Sequence, residues 1–101
     1  MENEKLNNII NSIKTMELKD KLRLGLCMTS SNYVHLKYNA EHMHNIFDKK
    51  LKEIDNEYLT TIVNMRKYPC VLFVMAQITE VNIEQQNQIA LYLFNSVPNL
   101  S

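Results

Sequence analysis

Glycine and proline are scarce in this chain, which has one Gly and two Pro among 101 residues. Sheet proteins need many tight turns, and such turns are built from pairs such as Asn-Gly or Pro-Gly. The sequence contains no such pair. We therefore predict an all-α protein. We also expect one domain covering residues 1–101, because either half alone would be too short to bury a core.

The charge is balanced and mixed along the chain, with 11 basic and 11 acidic residues. There is no basic stripe that could neutralise nucleic-acid phosphates, and no polybasic segment for an anionic membrane. No apolar run approaches the roughly 20 residues that a membrane-spanning helix needs. The first residues lack the charged start and apolar core of a signal peptide. We expect an intracellular protein, in the cytoplasm or also in the nucleus, that binds neither nucleic acid nor membrane.

Two cysteines, Cys27 and Cys70, each lie within an apolar stretch. A secreted chain of this size would carry more cysteines in disulfide bridges. We therefore expect two buried thiols in a reducing compartment. The 13 Asn residues, with many Lys and Ile, are typical of a low-GC genome, such as that of many insect viruses or parasites.

Apolar periodicity divides the first half of the chain into helices. Residues 3–16 are amphipathic, and a phase slip near Met16–Leu18 separates them from a second helix ending about Met28. The clearest pattern is an apolar seam that predicts a long helix over about residues 31–56. This seam consists of Tyr33, Leu36, Ala40, Met43, Phe47, Leu51 and Ile54.

A further apolar stripe predicts a second long helix over about residues 57–80, kinked or split near Pro69. A buried strand from Cys70 to Met75 is the alternative. Asn82 and Gln85 then match a capping box that opens a closing helix, which Pro98 stops. The stripe consists of Leu59, Ile62, Val63, Cys70, Phe73, Val74, Gln77 and Val81.

These elements predict a small antiparallel bundle built on two long helices, with shorter helices at the two ends. Several apolar residues of the second long helix lie off its stripe, so the segment is apolar nearly all round. Such a helix is either central in the fold or carries an exposed patch for a partner. The off-stripe residues are Met65, Tyr68, Val71, Leu72 and Met75.

No pattern typical of catalysis occurs in the sequence. A nucleophile elbow, a Gly-rich phosphate loop, a Cys-x-x-Cys pair and a His-Glu-x-x-His motif are all missing from it. His35 and His42 share a helix face but lie two turns apart, roughly 10 Å, and His44 points elsewhere, which does not suit one zinc ion. We expect a protein-binding function without enzyme activity, metal or cofactor.

The segment Phe47–Asp55, followed by Arg66-Lys67, resembles the BAG domain, the three-helix module that binds the Hsp70 nucleotide-binding domain. The likeness covers about residues 31–81. It implies a co-chaperone that promotes nucleotide exchange on Hsp70, with charged contacts from Asp55 and Arg66.

The family pattern also marks two further partner-binding positions, and this chain departs from it at both. A second acidic position of the family's second helix falls on Asn45, and a polar Gln of its third helix falls on Val74. Pro69 stands where the family has an uninterrupted helix.

Two other interaction functions remain open. A helical regulator of cell death or host signalling, death-fold-like or Bcl-2-like, would have five or six short helices with a break at Tyr68–Pro69. A structural subunit would instead associate with copies of itself through the surface at Val71–Met75.

Overall fold

The computed structural model describes residues 2–30, 36–37 and 40–97, and these residues contain six α-helices and no strand. The all-α prediction is confirmed. The alternative of a strand at residues 70–75 is wrong, because these residues lie inside a helix. The helices are α1 (Glu2–Lys14), α2 (Leu18–Ser30), α3 (Ala40–Ile54), α4 (Tyr58–Val63), α5 (Pro69–Thr79) and α6 (Ile83–Ser96), with a 3₁₀ turn at Met65–Lys67.

The central helix of the fold is α2. Every residue from Leu22 to Leu26 is buried, and so is Met28. Helix α2 packs against α3, α5 and α6, while α1 packs against α5 and α6. A helix buried nearly all round belongs in the middle of a fold. For the apolar segment at residues 65–75, the sequence left open that it is the central helix of the fold. In the structure α5 buries only one face, formed by Val71, Val74 and Ile78.

The contact between α2 and α3 is unusually close at Gly25, the one glycine of the chain. The ring of Phe47 occupies the space where a side chain of residue 25 would lie. Phe47 is fully buried and meets Phe94 of α6 edge-on, with 5.7 Å between ring centroids. The glycine therefore serves helix packing in this fold and not a turn.

Helix α3 is shorter than the sequence predicts. It begins at Ala40 and not near residue 31, and Leu36 and Lys37 are not helical. The Lys37 backbone N–H donates to Asn87 Oδ1 of α6 over 2.8 Å, which replaces a helical hydrogen bond. Tyr33 lies outside the described residues. The predicted seam is correct within the helix, where Met43, Phe47 and Leu51 are buried.

The predicted second long helix is divided into α4, the 3₁₀ turn and α5. Asn64 (φ −137°, ψ 77°) and Tyr68 (φ −121°, ψ 72°) both leave the helical region. Steric conflict with a following proline keeps Tyr68 out of that region. Pro69 is the first residue of α5, where its missing N–H is not needed.

The predicted stripe does not run along one continuous helix, and much of it does not face the core. The prediction of two buried thiols is wrong for Cys70, because α5 turns Val71 inward and leaves its neighbour in solvent. Cys27 is half-buried. The exposed members of the predicted stripe are Leu59, Val63, Cys70 and Phe73.

The shorter predicted elements agree well with the structure. The chain leaves the helix between Lys14 and Leu18, where the phase slip was predicted. The Gln85 backbone N–H donates to Asn82 Oδ1 over 2.8 Å and so caps the start of α6. Pro98 lies outside the described residues. None of the helices in the described ranges has the length and apolar character needed to cross a membrane.

Candidate functional site

A buried polar network joins α2 to the segment that leads from α3 into α5. Arg23 lies within the buried run of α2, and its Nη2 is 3.2 Å from Asp55 Oδ2. Its Nη1 is 2.7 Å from Asp20 Oδ1. The guanidinium carbon lies 3.9 Å from the centroid of the Tyr68 ring. Arg23 therefore binds two carboxylates and one aromatic face at the same time.

Asp55 is the acceptor at the centre of this network. Its Oδ1 accepts from the Glu57 backbone N–H at 2.9 Å, and its Oδ2 accepts from the Thr61 hydroxyl at 2.8 Å. Thr61 has one hydroxyl proton, so the Tyr68 hydroxyl, 3.0 Å from Thr61 Oγ1, is the donor of the next bond. Burial alone raises the pKa of Asp55, but the bonds from Glu57, Thr61 and Arg23 outweigh burial and lower that pKa below its usual range.

The four residues implied by the BAG resemblance are divided between the interior and the surface. Asp55 is 6% exposed and Val74 is 2% exposed, whereas Asn45 and Arg66 are exposed. Within the described part of the chain, no hydrogen bond or ion pair joins any two of them. The Asp55 carboxylate is bound inside the protein, and Val74 belongs to the core.

Large apolar side chains are exposed on α4 and α5. Leu59 and Val63 of α4 are 73% and 82% exposed, and Phe73 of α5 is 66% exposed. Leu72 is exposed to a smaller extent. We call these four residues the α4–α5 surface.

A cleft of about 310 Å³ lies between α2, α3 and α4. The Tyr58 hydroxyl donates a hydrogen bond to Asp48 Oδ1 there. This bond and partial burial raise the pKa of Tyr58. The cleft is lined by Leu26, Cys27, Ser30, His44, Asp48, Tyr58 and Met65.

The cleft brings together a thiol, an imidazole and a carboxylate, from Cys27, His44 and Asp48. Burial raises the pKa of the Cys27 thiol, which favours the protonated and less nucleophilic form. In the described ranges, no three His, Cys, Asp or Glu side chains are placed so that they could hold a metal ion together. His35 lies outside those ranges, and His42 is exposed on α3, where its ring faces Phe94.

Sequence reasoning missed both the polar network and the cleft. One signal for the network was present, because Arg23 interrupts an apolar run, and a charge inside a buried run needs partners. The cleft residues come from three helices and the 3₁₀ turn and share no spacing, so no sequence pattern marks them.

No family model matches this chain, and neither a curated protein nor a solved structure matches it.

Proposed function

We propose that this chain is a non-enzymatic protein-interaction module whose partner docks on the α4–α5 surface. The observation that carries this proposal is the inverted amphipathicity of α4. Thr61 is fully buried, whereas Leu59 and Val63 are among the most exposed large apolar side chains described. Helix positions two residues apart point about 200° away from each other, so the polar side of α4 faces the protein and an apolar side faces solvent.

The internal contacts of α4 explain this orientation. Thr61 is turned inward by its bonds to Asp55 and Tyr68, and Tyr58 is held by Asp48. A surface helix of a monomer normally buries its apolar side. Leu59 and Val63 are four residues apart, so they lie on the same face of α4, and both are exposed. An exposed apolar face marks an interaction site more often than an accident of composition.

Two exposed basic residues, Arg66 and Lys67, lie in the turn between α4 and α5. Neither forms an ion pair within the described part of the chain. Arginine and aromatic side chains, such as Arg66 and Phe73, are enriched at the energetic centres of interfaces. The partner that fits this region presents apolar side chains together with carboxylates.

The Hsp70 nucleotide-binding domain is the named partner that the BAG resemblance implies, and it remains a prediction. Arg66 is exposed and free to contact a partner, while the charge of Asp55 is already bound by Arg23. Nucleotide release from purified Hsp70 is the direct test. Release that is unchanged at a saturating concentration of this protein would exclude the co-chaperone function.

A regulator of cell death or host signalling is a second candidate, favoured by the helix count. The described residues form six helices of 6 to 15 residues, with a break before Pro69. This pattern suits a death-fold-like or Bcl-2-like class better than a three-helix module. Binding to purified domains of those classes, measured by calorimetry, tests this candidate.

The α4–α5 surface is tested by quantitative affinity capture with three forms of the chain. They are the unmodified protein, a Leu59→Ser/Val63→Ser variant, and a Leu91→Ser control, which removes an exposed apolar side chain from α6. We expect proteins that are retained by the unmodified chain and the control but lost with the α4 variant. Retention of the same proteins by all three forms would contradict the proposal.

Self-association through the same surface is the remaining alternative. Light scattering of the unmodified chain distinguishes it, because a structural subunit would be larger than a monomer and the α4 variant would be monomeric. A strict monomer with partner capture that depends on α4 supports docking of a different protein.

A further inference from the structure

The cleft between α2, α3 and α4 has the dimensions of a small-molecule site and lies apart from the outward face of α4. Its volume of about 310 Å³ is at the lower end of the range found for ligand sites in proteins. Leu26 and Met65 contribute apolar wall, while Asp48, Tyr58 and His44 contribute polar groups. Such a mixture suits a ligand with a short apolar body and one polar end.

The carboxylate of Asp48 is the charged group of the cleft. Its Oδ1 accepts from the Tyr58 hydroxyl, but a carboxylate has about four acceptor positions. No lysine or arginine in the described ranges forms an ion pair with it. The cleft therefore contains a negative charge that no basic side chain described here neutralises.

The C-terminal end of α2 adds to this negative potential. Cys27 and Ser30 belong to its last turn and line the cleft. The C-terminal end of a helix carries a partial negative charge that favours cations. The last turn of α2 contains no basic residue to complement that charge.

His44 contributes a further polar group to the cleft. Its Nδ1 lies 2.8 Å from Thr29 Oγ1, and the tautomer of the imidazole decides which of the two donates.

We propose that this cleft binds an organic cation, a primary ammonium or guanidinium group on a short alkyl chain. The cation lies against the free positions of the Asp48 carboxylate and the C-terminal end of α2, with the Tyr58 side chain beside it. The alkyl chain lies against Leu26 and Met65. Both a free amine and the side chain of a lysine or arginine have this chemistry.

The test is an NMR titration of the full chain at about pH 8, where ammonium and guanidinium probes are positively charged. The probes are n-butylammonium, n-butylguanidinium, blocked lysine and the uncharged n-butanol. We expect saturable shifts at cleft residues with the cations and none with butanol. Binding of butylammonium alone assigns the site to free amines, and equal binding of blocked lysine assigns it to side chains.

Variants separate the cleft from general charge effects. Asp48→Asn keeps an acceptor for Tyr58 but removes the charge, and we expect it to weaken binding at least about tenfold. Glu53→Gln makes the same charge change at an exposed residue of α3 outside the cleft, and we expect no effect. Equal affinities of the unmodified chain and Asp48→Asn, or equal losses in both variants, would overturn the proposal.

A second variant keeps the test decisive if Asp48→Asn does not fold. Ser30 is exposed and lines the cleft. Ser30→Lys therefore places an ammonium group within reach of the cleft. This group competes with the probe and should weaken probe binding at least about tenfold. Thr79→Lys adds the same charge at an exposed position of α5 and should leave binding unchanged. Unweakened binding in Ser30→Lys would contradict the proposal.

Discussion

Gly25 of α2 lies directly against the ring of Phe47 of α3, and a Cβ at residue 25 would be 2.6 Å from that ring. Replacement by alanine would improve helix propensity by about 1 kcal/mol. It would also force an enclosed ring to move, and overpacking of this kind typically costs about 1–3 kcal/mol. Phe47 also packs edge-on against Phe94, which limits its movement. The overpacking cost less the gain in helix propensity leaves an expected loss of about 1 kcal/mol in the free energy of unfolding of Gly25→Ala.

Urea unfolding followed by circular dichroism measures this change. Adding Phe47→Leu to Gly25→Ala relieves the crowding, so the double variant should lose less stability than the sum of the two single variants. A Gly25→Ala protein at least as stable as the unmodified chain would show that the two helices are not this close.

The buried pair Arg23–Asp55 predicts a large loss of stability when its acid is removed. Asp55→Ala leaves Arg23 with only Asp20 as an ionic partner and leaves the Thr61 hydroxyl without its acceptor. Breaking a buried ion pair from one side costs about 3–5 kcal/mol. We expect a loss of about 3 kcal/mol in urea unfolding, against less than about 0.5 kcal/mol for Glu53→Ala, an exposed acid two residues away.

The lowered pKa of Asp55 predicts how stability depends on acid pH. The folded protein holds this carboxylate ionised at pH values where the unfolded chain, with an aspartate pKa of about 3.9, binds a proton. The unfolded state therefore binds more protons, so stability increases with pH in this window. The contribution is complete above about pH 4–5 and is lost as pH falls through the folded pKa.

Unfolding measured from neutral to acid pH tests this dependence. Asp55→Asn should lower stability at neutral pH and flatten the decrease below about pH 4. Parallel curves for the variant and the unmodified chain would mean that another carboxylate is responsible for the acid dependence.

The parts of the fold that the sequence predicted depend on local chemistry. Scarcity of glycine and proline indicated an all-α chain, the seam through Phe47 identified the buried face of α3, and Asn82 caps α6 as expected. Each of these depends on residues within a few turns of one another.

The parts that the sequence did not predict depend on contacts between distant segments. The Lys37 backbone, which is not helical, donates to Asn87, 50 residues away in sequence. The Asp55 carboxylate is buried against Arg23, which lies 32 residues earlier. Periodicity carries no information on either contact. Pro69 indicated a break in the helix at that residue. It gave no indication that Thr61 would turn inward to bind Asp55 and so leave Leu59 exposed.

The two cysteines should differ in reactivity, because their surroundings differ. Cys70 is exposed near the start of α5, while Cys27 is half-buried in the cleft, where burial raises its pKa and reduces the fraction of reactive thiolate. We expect iodoacetamide to alkylate Cys27 at least about tenfold more slowly than Cys70 in the folded protein, as measured for each peptide by mass spectrometry. In denaturing urea the two rates should converge, since both thiols are then solvated. Equal rates in the folded protein would contradict the burial of Cys27, whereas a difference that persists in urea would assign the effect to neighbouring sequence.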